Sequence, residues 1–347
     1  MDEETLNSNL EIMNENLDWE YIFEIAKSHN VAPLMYPNLK RLNEIHEIPP
    51  HIMTQFRKNY HITWVRNTKM YNDLAILLKE FSSNGIEPIL IKGAALAQVV
   101  YKNIALRTMS DADMLIRKED AHKARDILLD QGYKEDVPLR RDYFLDLLSF
   151  FPTYLKGHTA IEIKWKLNYG ESVSPDYNSL RNNASLIMIN NETSVFVPSL
   201  NDLFILSYNH LLKHKNCGEN QLIWECDLME LDNLQEPNNE IKPKYIKDTI
   251  YLESLLQSDK LSSTKDLYFV ASISSQFKSV NGILNKLLYI YGCFFPKKEF
   301  IIHQFGLKKE TNFVCIYYFL RNLTLIGKII KSSLFKIKKK FLTVIPR

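Results

Sequence analysis

Two hydrophobic rhythms divide the chain. From residue 17 to residue 84 apolar side chains recur at helical spacing. Ile52, Phe56, Tyr60, Val65, Tyr71, Leu74, Leu78 and Phe81 approximate one stripe, which Gly85 ends. Between 86 and 165 the pattern changes to short apolar runs separated by helical stretches. It predicts a strand at 88–92, a helix from 94, a strand at 112–116 and a helix over 118–131 that stops at Gly132. A β-hairpin follows, in which Lys156-Gly157-His158 turns 152–155 back into 159–165. From Ser199 the helical period returns: Ser199 and Asp202 form a capping box ahead of Leu203, Leu206 and Leu211. Further helices are expected near 219–232, 243–258, 264–277, 281–292 and 311–333, and the Asn-, Glu- and Pro-rich stretch 232–243 reads as an exposed loop. The fold class is therefore α+β, a small mixed-sheet core embedded in a mostly helical chain. Its expected divisions are an N-terminal helical region at 1–85, an α/β core at 86–198 and a C-terminal helical region at 199–347.

Composition narrows this picture only at its edges. A chain of 347 residues with 46% apolar and 24% charged residues buries a sizeable core and is ordinary globular protein. A net charge of +2 gives no general affinity for nucleic acid. Cys217, Cys226, Cys293 and Cys315 lack metal-site spacing and read as free thiols of a reducing, cytoplasmic setting. The acidic start Met1-Asp2-Glu3-Glu4 is unlike a signal peptide, and no run of about 18 apolar residues suggests a transmembrane span.

The chemistry lies where the core's apolar pattern is broken. In Arg107-Thr108-Met109-Ser110-Asp111-Ala112-Asp113-Met114-Leu115-Ile116, strand alternation sends both carboxylates to one face while Ala112, Met114 and Ile116 turn to the core. Two anions held that close repel, and burying them unpaired costs several kcal/mol, so the pair reads as a divalent-metal site. Glu162, between Ile161 and Ile163 on the hairpin, supplies a third acid on an otherwise apolar strand. Upstream, the strand ending in Ile91-Lys92-Gly93 runs into Ala94-Ala95-Leu96, a strand, turn and helix whose free amides face an incoming phosphate. Gly93 in a structural role alone would supply a positive φ angle.

Lys92-Gly93-Ala94-Ala95-Leu96, the stretch from Leu106 to Ile116, and Ile161-Glu162-Ile163-Lys164-Trp165-Lys166-Leu167 together resemble the uncharacterised bacterial nucleotidyltransferase family of the DNA polymerase β-type superfamily. The resemblance covers most of residues 15–320, including Asp18-Trp19-Glu20 through Leu34-Met35-Tyr36 and Asn209-His210 through Asp227-Leu228. The chain departs from the superfamily pattern at three points. Lys92-Gly93-Ala94 replaces the Gly-Ser signature, the interval from Gly93 to Asp111 is longer than usual, and Lys164 stands where this family commonly has His.

The resemblance implies an enzyme that moves NMP from an NTP, such as ATP, to an acceptor hydroxyl with release of pyrophosphate. Asp111, Asp113 and Glu162 would be both catalytic residues and ligands to two Mg²⁺ ions, or Mn²⁺ in their place. Lys92, Gly93, Arg107 and Ser110 would bind the nucleotide, Arg107 contacting phosphate or pairing with one of the acids. The acceptor would be a small molecule, a polypeptide or an RNA end. The alternative is a non-catalytic binding or scaffold protein that keeps the fold. His210 and His214 share a helical face beside Lys213 and are expected to line the cleft or pack beneath it, with Asp227 either a partner of that basic cluster or a residue of structural hydrogen bonding. The tail at 328–340, with Lys336, Lys338, Lys339 and Lys340 among apolar residues, is either a solvated helix end or a weak contact with an anionic surface.

Overall fold

The computed structural model describes residues 17–44, 47–136, 151–167, 175–216, 220–234, 282–307 and 314–327, with the single positions 147, 277 and 280. The first helical stretch divides into α1 (Trp19–Ser28), α2 (Ala32–Leu42) and α3 (Pro50–Ser83). Asp18 caps α1 by accepting from the Tyr21 amide at 3.0 Å. Pro33 and Pro50 occupy the first turns of the next two helices, where the proline's missing N–H removes no helical bond. On α3 the expected stripe holds at Ile52, Phe56, Tyr71, Leu74, Leu78 and Phe81, all buried. Val65 is instead 57% exposed. The four-residue step from Thr63 through Asn67 to Tyr71 carries the buried face past it.

The α+β fold class is the observed one, and the sheet is mixed. Its seven strands are β1 (Ile89–Ile91), β2 (Ala112–Leu115), β3 (Lys134–Glu135), β4 (Tyr154–Lys156), β5 (Thr159–Lys164), β6 (Ser185–Met188) and β7 (Ser194–Val197), in the order β3-β4-β5-β2-β1-β7-β6. β2 runs parallel to β5 and antiparallel to β1, and β1 runs parallel to β7. Four of these strands match the sequence pattern; β3, β6 and β7 extend it at both edges. Three core helices accompany them: α4 (Lys92–Val99) after β1, α5 (Ala121–Asp130) after β2, and α6 (Tyr177–Asn183) before β6. The β4–β5 turn is made at Gly157, whose φ of 59° suits the residue without a Cβ.

Downstream come α7 (Leu200–Asn216), α8 (Leu222–Asn233), α9 (Ile283–Phe294) and α10 (Lys298–Gln304), and residues 314–327 are helical. The expected pair caps α7, with the Ser199 hydroxyl in place of its amide in the return bond: the Asp202 amide donates to Ser199 Oγ at 3.2 Å and the hydroxyl donates to the Asp202 carboxylate at 2.8 Å. The helices expected at 243–258 and 264–277, the loop beyond 234 and the basic tail at 328–340 lie outside the described residues, position 277 excepted. No helix among the described residues is long and apolar enough to cross a membrane.

Alternation gives the sheet two different faces. Leu90, Ala112, Met114, Ile161 and Ile163 turn to one side and join the main core with Leu74, Phe81, Ala124 and Leu128 of α3 and α5. Ile89, Ile91 and Leu115 turn to the other, where Tyr177, Leu180 and Leu206 cover them. Asp113 and Glu162 belong to this second face. They therefore emerge from beneath the helical cover at the end of the strands, beside α7.

Candidate functional site

Register brings the acids together. Asp113 is the Cα partner of Glu162 across the parallel β2–β5 pair, so the two side chains leave the same face one strand apart. Asp111 precedes β2 on the same alternation. One carboxylate oxygen from each of Asp111, Asp113 and Glu162 lies within 4.8 Å of the others, and this is the one such acid, His or Cys group among the described residues. Hard oxygen donors at this separation suit Mg²⁺ or Mn²⁺.

The lysines decide the electrostatics. Lys92 Nζ donates to Asp113 Oδ1 at 2.7 Å, and Lys164 Nζ donates both to the same oxygen and to Glu162 Oε2. Glu162 Oε1 accepts from Thr153 Oγ1 at 3.1 Å. The repulsion expected between the acids is thus met by the protein's own cations on Asp113 and Glu162. Asp111 differs: among the described residues it has no ion-pair partner, and its Oδ1 accepts from Ser110 Oγ at 2.9 Å.

Charge states follow from this asymmetry. Burial opposes ionisation of Asp113, but Lys164 and Lys92 hold its carboxyl well below the usual carboxylate range. Burial likewise disfavours the Lys164 ammonium, and Asp113 and Glu162 lift it well above the usual lysine range. Asp111 is pushed up to about 6, first by burial and then by the Asp113 and Glu162 charges.

At the β1–α4 junction the chain takes an unexpected route. The left-handed residue is Lys92, with φ at 53°, rather than Gly93. A side chain in that region costs about 1–2 kcal/mol, and here the conformation sets the ammonium on Asp113. Gly93 is required for closeness instead: a Cβ there would stand 3.3 Å from Met109 Cγ and 3.6 Å from Arg107 Nη1. The helix starts at Lys92, earlier than expected, with no side-chain cap on its first amides. Tyr71 anchors its first turn by donating to the Ala94 carbonyl at 2.6 Å.

Arg107 corrects one of its two sequence readings, the pairing with a metal-site acid. Its guanidinium pairs with neither metal-site acid. It binds Asp227 in bidentate fashion, Nε to Oδ1 at 2.8 Å and Nη2 to Oδ2 at 2.7 Å, and Tyr101 Oη donates to the same Oδ1 at 2.8 Å. Asp227, read from the sequence as a partner of the histidines or as a residue of structural hydrogen bonding, takes the second role, tied to Arg107 and Tyr101. Asn67 Nδ2 donates to the Arg107 and Ile104 carbonyls at 2.8 and 2.5 Å, fixing the irregular segment that leads into β2. None of these partners is near in sequence, so no local pattern announced them.

A cleft of about 670 Å³ gathers the acids, Lys92, Gly93, Arg107, Ser110 and Lys164 on one side and α7 and α8 on the other. The opposite wall is aromatic, and the sequence reading missed Trp224 in it. His214 lies 4.3 Å from the Trp224 ring and 4.4 Å from His210, centroid to centroid. Burial, followed by the nearby Lys92 charge, holds His210 well below its ordinary value, so the ring is neutral at physiological pH.

Residues 15–246 match the family described as an uncharacterised nucleotidyltransferase. The chain belongs to this family. Asp111, Asp113, Glu162 and the Lys92-Gly93 turn all fall inside the matched segment, as do the histidines and Asp227. No curated protein aligns significantly with it. Among solved structures, it is similar to the antibiotic-resistance factor ANT(2'')-Ia at 10% identity and a TM-score of 0.36, over 53% of this chain and 90% of the other. It is also similar to an antigenic nucleotidyltransferase-like protein from Paracoccidioides brasiliensis at 15% identity and a TM-score of 0.33, over 63% and 95% of the respective chains.

Proposed function

We propose that this family member transfers NMP from an NTP to an acceptor hydroxyl in a metal-dependent reaction at Asp111, Asp113 and Glu162. The observation that carries the reading is the convergence of three carboxylates within 4.8 Å at the foot of a strand-to-helix turn bearing Lys92 and Gly93. A divalent ion held by these acids would neutralise charge on the triphosphate and favour the deprotonated acceptor. The uncapped amides at the start of α4 would receive the phosphates, and the missing Cβ of Gly93 lets that turn lie close to Met109 and Arg107. Lys92 adds a cation at the same turn, and Ser110 orients Asp111. Arg107, engaged with Asp227, shapes the cleft wall rather than reaching for a phosphate with a free guanidinium.

In the transfer itself the acceptor oxygen forms a bond to the α-phosphorus while the bond to the β-bridging oxygen breaks. Pyrophosphate leaves with that electron pair. The hydroxyl proton leaves to solvent. Chemistry of this kind rests on positioning and charge neutralisation, so no Ser-His or Cys-His pair is needed. The His210–His214–Trp224 wall gives a base or an acceptor ring a stacking surface. A cytoplasmic setting with free thiols completes the reading.

The test is incubation with each NTP labelled at the α-phosphate, with Mg²⁺ and a cell extract supplying acceptors. Label is expected on an acceptor with one NTP at least, and not in the presence of chelator. A second reading, a non-catalytic scaffold, is favoured by the Lys164 contacts that satisfy Asp113 and Glu162 without any metal. On that reading neither Mg²⁺ nor Mn²⁺ binds and no label moves.

A further inference from the structure

Lys164 leaves β5 two residues after Glu162, on the same face, and its ammonium bridges Glu162 Oε2 and Asp113 Oδ1. The side chain is 16% exposed and Asp113 4% exposed. Both oxygens of Glu162 are thereby engaged, one by Lys164 and the other by Thr153, and one oxygen of Asp113 is shared by two ammonium groups. Asp111 alone among the acids has no ion-pair partner among the described residues. For a metal ion to sit between Asp113 and Glu162, Lys164 would have to leave both partners. A buried ammonium stripped of its carboxylates is strongly disfavoured.

We propose, on the basis of the nucleotidyltransferase reading above, that Lys164 is a tethered cation occupying one of the two metal positions expected from the sequence. The acid cluster then accepts one divalent ion, on the Asp111 side, and Lys164 supplies the second positive charge between Asp113 and Glu162. Glu162 is held in place by this lysine and by Thr153. The residue is a positioning residue, acting through the carboxylates it bridges.

The test is Mn²⁺ titration followed by electron paramagnetic resonance, with the full chain and each of the four α,β-methylene ribonucleotides, which bind without transferring NMP. Wild-type protein is expected to take up one Mn²⁺ per chain and to give no spin-coupled pair signal. Lys164→Met, confirmed folded by its melting curve, is expected to take up two and to give that signal. Two Mn²⁺ in the wild type overturn the inference while leaving the metal-dependent reading intact. One Mn²⁺ in both proteins removes Lys164 from the role. No Mn²⁺ in either, together with no NMP transfer, overturns the functional reading itself. Amine labelling of the wild type decides the matter without a variant: Lys164 is expected to stay protected when Mn²⁺ and analogue are added, and its exposure on metal addition contradicts the proposal.

Discussion

Arg107 and Asp227 meet in a buried pair in which each charge has its partner, whereas Asp111, Asp113 and Glu162 bring three carboxylates against two ammonium groups. Both clusters border one cleft, and both are built from residues distant in sequence. The first is closed: a bidentate guanidinium and the Tyr101 hydroxyl satisfy Asp227, leaving nothing for a ligand to supply. The second is one charge short, and the shortage falls on Asp111. A buried polar network that is complete serves the fold; one that is incomplete by a cation is poised to receive one.

The contrast predicts opposite outcomes for removing an anion. Asp227→Ala strands the Arg107 guanidinium in the interior and is expected to cost about 3–5 kcal/mol in urea unfolding, the largest effect of the set. A loss below about 1 kcal/mol would show that the pair is not closed in the sense argued here. In the acid cluster the two aspartates separate. Asp113→Asn takes from Lys92 and Lys164 the carboxylate they share, and a loss of about 1–3 kcal/mol is expected. Asp111→Asn removes the unpaired anion, so the metal-free protein is expected to be as stable as wild type or up to about 3 kcal/mol more stable near neutral pH. Equal destabilisation by the two substitutions would erase the distinction between the acids.

The pH dependence sharpens the same point. Asp111 titrates near about 6 in the folded chain, above its unfolded value near about 4. A raised carboxyl contributes stability when protonated, so this contribution is complete below about pH 4 and is lost as pH rises through about 6. Thermal melts of metal-free wild type should show that loss across the window, and Asp111→Asn should not. Mn²⁺ affinity should run the other way, weakening as pH falls below about 6, because protons compete for Asp111. The smallest effect belongs to the closed cluster: Tyr101→Phe removes one donor to Asp227 while Arg107 stays in place, for a loss of about 1 kcal/mol.

The strand alternation that put Asp111 and Asp113 opposite Ala112 and Met114 was legible in the sequence because it is a local property, and so were the hairpin at Gly157 and the capping pair of Ser199 and Asp202. β6 escaped because Leu186, Ile187 and Met188 are apolar in succession and show no alternation, and β3 because two residues are too few to make a pattern. At the β1–α4 turn local reasoning gave the positive φ to Gly93, while the demand for closeness to Met109 and Arg107 fixed Gly93 and left the strained conformation to Lys92. The pairings of Arg107 with Asp227 and of Lys164 with Asp113 depend on register and helix packing across many residues. Composition and spacing hold no trace of them. Trp224 was similarly hidden, since an aromatic residue on a helix reads as core until its neighbours His210 and His214 are placed beside it.

The central claim is that the cluster short of a cation is the one that works. Its most direct test is transfer of α-labelled NMP by wild type and Asp111→Asn, assayed side by side with Mg²⁺ and with melting curves for both proteins. The account predicts label on an acceptor with wild type and none with Asp111→Asn, although the variant melts no lower than wild type. Undiminished transfer by a well-folded Asp111→Asn would contradict it.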